Sequence, residues 1–228
     1  MQETFTFRTI AHIRSDFPEK FGVPRQSGIL KSLKSTIVFE PEFRNADALR
    51  GLEDFSHLWL LWIFSENIRN GFSPTVRPPR LGGNRRMGVF ATRSSFRPNP
   101  LALSVVKIEK IEMSPDGPLV VVSGADLMDG TPIVDIKPYL PSADAISDAS
   151  GGFTDKLNFT PLTVRFPQNE QEKIPKEKQE SLIKVLSEDP RPAYQKDSRR
   201  IYGFRFADWN VRFTVTENVL EVVGISLM

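Results

Sequence analysis

The chain has no cysteine, two histidines and no pair of glycines spaced G-x-G. Each absence removes a class of chemistry. Without cysteine there is no disulfide, no thiol nucleophile and no thiolate metal site, which fits a reducing compartment. His12 and His57 are too few for a multi-histidine zinc centre, and no metal is expected. Without G-x-G the dinucleotide fingerprint is missing, and so is the glycine loop of doubly wound methyltransferases. Gly83 and Gly88 have P-loop spacing, but Val89 and Phe90 follow where a lysine and a hydroxyl are required. A nucleotide hydrolase would therefore lack both its magnesium site and its base. The longest apolar run, residues 58–64, is far too short to span a bilayer, and no charged-then-apolar leader opens the chain. The expectation is a soluble, cytoplasmic protein.

Acid is also missing, locally. Between residues 67 and 108 there is no Asp or Glu, yet there are seven Arg and one Lys. Removing those eight cations from a chain of net charge +2 leaves −6 for the remainder. The positive charge is thus concentrated, as in a patch for phosphates. Its centre is "RPPRLGGNRRMGVFATRSSFRPNP" (77–100), with Arg77, Arg80, Arg85, Arg86, Arg93 and Arg97. Arginine suits bidentate phosphate or carboxylate contacts and stacks on bases. Interleaved prolines and glycines make this a stiff, shaped loop. A solvated, salt-bridged loop is the ordinary fate of a charge run, but no local acid is there to pair. RNA fits such a site well, because phosphate contacts give affinity and arginine planes stack on splayed bases.

What is present over the first two thirds is a series of short β-branched runs separated by turn residues. Residues 5–14, 35–40, 87–93, 103–111, 118–124 and 132–137 read as strands. "HLWLLWIFS" (57–65) reads as a buried central strand. Long helical patterns between them are missing, so this is not the rhythm of a Rossmann fold, and a barrel or sandwich is expected. "NADALRGL" has room for a turn or two of helix. A small, polar, glycine-ended linker covers 142–152. Beyond it lie a strand in "NFTPLTVRF", an amphipathic helix over 175–189 with Pro175 at its start, and a hairpin around "TEN". The fold class is therefore mainly β: a small non-Rossmann β-barrel domain over 1–145, followed by a smaller α+β domain over 146–228.

Three further stretches carry candidate chemistry. "VPRQSG" (23–28) is, taken alone, an ordinary polar turn. "DLMDGTPIVDIKPY" brings Asp126, Asp129 and Asp135 close in sequence. Its spacing matches no EF-hand, and Asp129-Gly130 makes a good turn, leaving Asp126 as a hydrogen-bond acceptor. "EDPRPAY" (188–194) stops the helix and presents Asp189, Arg191 and Tyr194 on a proline-stiffened loop. An acceptor beside such an aromatic can take a hydrogen bond from an adenine amine and make it a better nucleophile. His57 and His12 read as core or strand-edge histidines.

In order along the chain, "VPRQ", "GLEDFSHLWLLWIF", "TVRPPRLGGNRRMGVFATRSSFRPNPLALS", "DLMDGTPIVDIKPYLP", "EDPRPAY" and "WNVRF" resemble the TrmO (TsaA-like) tRNA methyltransferases. The likeness runs from about Phe5 to the end. It implies a β-barrel that binds S-adenosylmethionine without a Rossmann fold. It also implies methylation of N6 of a threonylcarbamoyl-adenosine just 3′ of the tRNA anticodon, and a homodimer. The family's cofactor contacts fall on Pro24, Arg25, Gln26, Ser65, Glu66, Arg93, Leu103, Asp126, Leu127, Met128 and Asp129. Many relatives carry His-Gln where this chain has Ser65-Glu66, so only a backbone contact there would carry over. On this reading Asp126 stabilises positive charge on the cofactor, Arg25 or Arg93 takes its carboxylate, and Asp189 or Tyr194 orients the amine. Arg77, Arg80, Arg85, Arg86, Arg97 and Arg191 hold the anticodon loop. A non-catalytic RNA-binding barrel is the alternative.

Overall fold

The computed structural model describes residues 3–68, 71–81, 85–157, 159–191 and 197–228; the side chain of Arg80 is also outside the described set. The chain divides into two compact units. One holds Met1–Ser15, Arg25–Phe72 and Ser95–Tyr139; the other holds Asp16–Pro24, Ser73–Ser94 and Leu140–Met228.

The strands of the first unit and of the short ribbon that interrupts them run in chain order: β1 (Ala11–Arg14), β2 (Lys34–Phe39), β3 (His57–Ile63), β4 (Thr75–Val76), β5 (Met87–Gly88), β6 (Leu101–Ser114), β7 (Gly117–Ser123) and β8 (Pro132–Pro138). Six of them close a barrel in the order β1-β2-β7-β6-β3-β8, with β8 pairing back onto β1. Every pairing in the barrel is antiparallel. Alternation explains the closure. Along β3, Leu58, Leu60 and Trp62 are buried while His57, Trp59, Leu61 and Ile63 are half-buried on the other face. Inward residues of the other strands join them: Ala11, Ile13, Ile37, Phe39, Val106, Val120, Val122 and Ile133. Closure removes free sheet edges and buries a continuous apolar interior.

The strand registers put the end of β1, the start of β2, the end of β3, the start of β6, the end of β7 and the start of β8 at one rim. The β1–β2, β3–β6 and β7–β8 connections all leave from that rim. Two strand expectations change. Only residues 11–14 of the expected 5–14 strand enter the ladder. Of 87–93, only Met87–Gly88 forms a strand; Val89–Ala91 is a 3-10 turn. Its apolar content serves a single buried plug, Val89, and no ladder. The "NADALRGL" helix is likewise two short 3-10 turns, Ala46–Leu49 and Leu52–Asp54.

The second unit is a four-stranded sheet built from β9 (Thr163–Arg165), β10 (Tyr202–Phe206), β11 (Trp209–Thr216) and β12 (Val219–Leu227), in the order β10-β11-β12-β9. β9 runs parallel to β12 and the rest are antiparallel. The helix Lys176–Ser187 buries Leu182, Val185 and Leu186, close to the expected 175–189. Phe204, Phe206 and Phe213 are fully buried in this unit. Asp16–Pro24 belongs to it as well, although the chain enters and leaves this segment from barrel strands. The Phe17 ring meets Phe206 edge-on at 5.8 Å, and Phe21 meets Phe204 at 6.1 Å. Lys178 Nζ donates to both Asp16 oxygens at 2.6 and 2.7 Å. Gly22 has φ +92, and its missing side chain leaves room for the Phe204 ring.

Candidate active site

Three stretches at the barrel rim are tied together by hydrogen bonds. The first is the β7–β8 loop. Gly130 has φ +74, the left-handed turn expected after Asp129. Ser15 N–H donates to Asp129 Oδ1 at 2.9 Å, and the Ser15 hydroxyl donates to the Leu127 carbonyl at 3.0 Å. Thr131 Oγ1–H donates to the Met128 carbonyl at 2.7 Å. Residues 126–129 are thus held by side chains on both flanks. The three aspartates do not converge: Asp129 goes to Ser15, whereas Asp135 accepts from Ile136 N–H and pairs with Lys137. Among the described residues no cluster of three His, Asp or Glu could hold a metal ion.

The second stretch carries Arg25 and Gln26. Gly28 N–H donates to the Gly124 carbonyl at 2.8 Å, and the Ser27 hydroxyl accepts from Val105 N–H at 3.2 Å. Those bonds set Arg25–Ser27 beside both the start of β6 and the start of the 124–131 loop. The polar turn is therefore a shaped part of the rim, with Arg25 exposed. The third stretch is where β3 meets β6. Leu61 pairs with Leu103 and Ile63 with Leu101, and Phe64 N–H then donates to the Pro100 carbonyl at 2.8 Å. Ser65 and Glu66 follow in an exposed 3-10 turn, and Leu103 is 48% exposed although it lies mid-ladder.

Asp126 is the best-defined group of the rim. Its Oδ1 accepts the Ser104 hydroxyl at 2.6 Å, and Ser104 in turn accepts the Trp62 indole N–H at 2.9 Å. Ser104 is 1% exposed. Sequence reading missed it, since a lone serine in a strand pattern carries no signal. Together the rim offers a carboxylate, a guanidinium, an apolar platform in Leu103, and backbone polar groups in fixed positions.

The remaining expected site residues fall elsewhere. Pro24 is buried and, with the exposed Arg93, counts with the second unit. So do Arg77, Arg85 and Arg86, all exposed, whereas Arg97 counts with the first. The 3-10 turn at Val89–Ala91 is pinned by Val89 N–H to the Pro74 carbonyl and by Thr92 Oγ1–H to the Val89 carbonyl. Phe90 in this turn is 74% exposed. Asp189 and Arg191 are brought against each other. Arg191 Nε donates to Asp189 Oδ1 at 2.8 Å and Nη2 to Oδ2 at 2.9 Å. These bonds raise the Arg191 pKa above its ordinary value, with burial opposing and Tyr202 assisting. A fork so engaged is not presented to a phosphate as an exposed arginine would be. Asp189 takes φ +51, a left-handed backbone conformation. Tyr194 and the side chain of Arg80 lie outside the described residues.

Comparison with known proteins decides the family. The model of the tRNA-methyltransferase O N-terminal domain matches residues 12–145, and that of the TrmO C-terminal domain matches residues 155–227. The chain belongs to the TrmO family of methyltransferases. Among similar members, the tRNA (adenine(37)-N6)-methyltransferase of Escherichia coli K12 is 44% identical over 230 residues, covering 97% of this chain and 98% of the relative. A putative S-adenosylmethionine-dependent methyltransferase, RcsF, of Pseudomonas aeruginosa is 40% identical, covering 97% and 99%. A crystal structure of TrmO from P. aeruginosa superposes with a TM-score of 0.81 at 33% identity, over 100% of this chain and 99% of that one. The β-rich, two-domain TrmO architecture expected from the sequence is thus the one observed. Among the described residues no helix is long and apolar enough to cross a membrane.

Proposed function

We propose that this chain transfers a methyl group from S-adenosylmethionine to N6 of a threonylcarbamoyl-adenosine lying just 3′ of a tRNA anticodon. The observation that carries this reading is the end-to-end match, at 44% identity, to a relative named for methylation of adenine 37 in tRNA. The chemistry of the rim supports it. S-adenosylmethionine supplies a sulfonium-bound methyl: the N6 lone pair forms the C–N bond as the C–S bond breaks, a neutral thioether leaves, and N6 loses its proton.

The chain's own residues do the rest. Asp126 places negative charge at the rim, where it stabilises a cationic cofactor. Arg25 or Arg93 takes the cofactor's carboxylate as a fork. Leu103 offers apolar surface to a ring, and residues 127–129 offer backbone polar groups held still by Ser15 and Thr131. Pro24, Gln26, Ser65 and Glu66 complete the cofactor set. Most of the rate then comes from positioning. Arg77, Arg80, Arg85, Arg86 and Arg97 hold anticodon-loop phosphates, and Phe90 stacks on an unstacked base. Asp189 or Tyr194 orients the amine. Residues 1–145 form the cofactor-binding domain and 146–228 the C-terminal domain of a cytoplasmic homodimer.

The test uses methyl-labelled S-adenosylmethionine, with bulk tRNA carrying threonylcarbamoyl-adenosine and, in parallel, tRNA lacking it. Label on that nucleoside, in the first sample alone, is the expected result. Absence of label in both, with tRNA still bound, would leave a non-catalytic RNA-binding barrel. The arginine assignment has its own check. Replacing Arg77, Arg85 and Arg86 together by glutamine should weaken tRNA binding and flatten its dependence on log salt, by about one unit for each phosphate no longer neutralised. An unchanged slope would reject the assignment.

A further inference from the structure

As Ser35 is on β2, Ser104 is a buried polar residue on the inward face of β6. Two residues further along the same inward face is Val106, and Leu58, Leu60, Val120 and Val122 share that interior. A valine or alanine at 104 would match that face but would leave the Trp62 indole N–H without its acceptor. A buried hydroxyl is tolerated only when its hydrogen bonds are made. Here both are made, and their direction is fixed. The Trp62 indole N–H can only donate, so Ser104 Oγ accepts it at 2.9 Å. The single hydroxyl hydrogen then has one destination, Asp126 Oδ1 at 2.6 Å. No tautomer or amide flip enters this assignment. The chain of bonds runs one way, from the core to the rim.

We infer that Ser104 is a positioning residue for methyl transfer: its hydroxyl holds one oxygen of Asp126 and so fixes where that carboxylate stands when the cationic cofactor binds. A carboxylate held at one oxygen has less freedom to swing away when a cation approaches. This inference rests on Asp126 facing the cofactor, as proposed above. Trp62 acts one step further back, by occupying the serine's acceptor position.

The experiment is a double-mutant cycle read by calorimetry, with S-adenosylmethionine and with S-adenosylhomocysteine, the neutral thioether. Ser104→Ala should weaken S-adenosylmethionine binding about tenfold, and S-adenosylhomocysteine by less than about threefold. Ser104→Thr, which keeps the hydroxyl, should restore most of the affinity. In an Asp126→Ala background the same Ser104→Ala change should add less than about twofold, because residues acting through one another are not additive. Full additivity, or equal losses for the two ligands, would show Ser104 to be an ordinary core residue and overturn the inference. If Ser104→Ala fails to fold, Ser104→Cys keeps the volume and weakens the donor, and the same selective loss is required of it. Should Asp126→Ala leave S-adenosylmethionine affinity unchanged, the assignment of Asp126 falls first and Ser104 falls with it. An additive cycle with a large Asp126 effect removes Ser104 alone.

Discussion

Asp126→Ala is expected to lower kcat/KM for methyl transfer about a thousandfold, equivalent to about 4 kcal/mol of lost transition-state stabilisation. The carboxylate lies at the rim between two pinned loops and is oriented by a buried hydroxyl. A preorganised charge of this kind needs no rearrangement when a cation binds, so its removal costs more than the loss of a surface charge would. The stability cost should be smaller. The substitution strands the Ser104 hydroxyl, which costs about 1–3 kcal/mol. For a chain of this size that lowers Tm by roughly 2–12 °C. Asp126→Asn separates charge from hydrogen bonding. Its amide oxygen still accepts from Ser104, so stability should stay near the parent while activity falls between the two. Steady-state kinetics with modified tRNA, beside a melting curve of each variant, checks both halves. An Asp126→Ala enzyme within about threefold of the parent would remove the aspartate from the mechanism.

Gly22→Ala should destabilise the second unit by more than about 3 kcal/mol, enough to lower its melting temperature by roughly 6–12 °C. Two effects combine. Gly22 has φ +92, a backbone conformation that strains any residue with a Cβ. A Cβ there would also stand 2.4 Å from Phe204 Cδ2 and 2.6 Å from Cε2. That ring has little freedom to give. Phe204 is 1% exposed and packs edge-on against both Phe21, at 6.1 Å, and Phe213, at 6.2 Å. Hydrogen exchange on β10 and β11 would localise the damage, since the loss should concentrate on strands that bear Phe204 and Phe213. A midpoint within about two degrees of the parent would refute this account of the packing.

Much of the barrel was legible because its signals are local. β3 was legible as a continuous apolar run and β6, β7 and β8 as short β-branched runs between turn residues, and the absence of helical spacing excluded an open α/β sheet. The Asp129-Gly130 turn was legible for the same reason. Failures came where tertiary context decides. Residues 87–93 have the composition of a strand, yet among the described residues 89–91 form a 3-10 turn, and one buried valine satisfies the apolar pattern. β10 was missed because "YGFRF" carries a glycine, and Arg199 and Arg200 stand just before it. The paired roles of Asp189 and Arg191 were read as separate, although two residues and an intervening proline are enough to fold the guanidinium back onto the carboxylate. Ser104 was invisible, because its importance comes from Trp62 and Asp126, distant in sequence and adjacent only once the barrel closes.

The membership of Asp16–Pro24 in the second unit has a consequence for synthesis on the ribosome. Phe17 leaves the exit tunnel early, but its partner Phe206 is encoded near the end of the message. At about 5–20 residues per second, the two are separated by roughly 10–40 s of translation. Meanwhile the barrel strands on either side of that segment, β1 and β2, are both already made. The nascent chain can close its barrel while holding out an apolar strap whose binding site does not yet exist. A fragment spanning 146–228 would meet the reverse problem, a sheet bearing Phe204 and Phe206 without the segment that covers them.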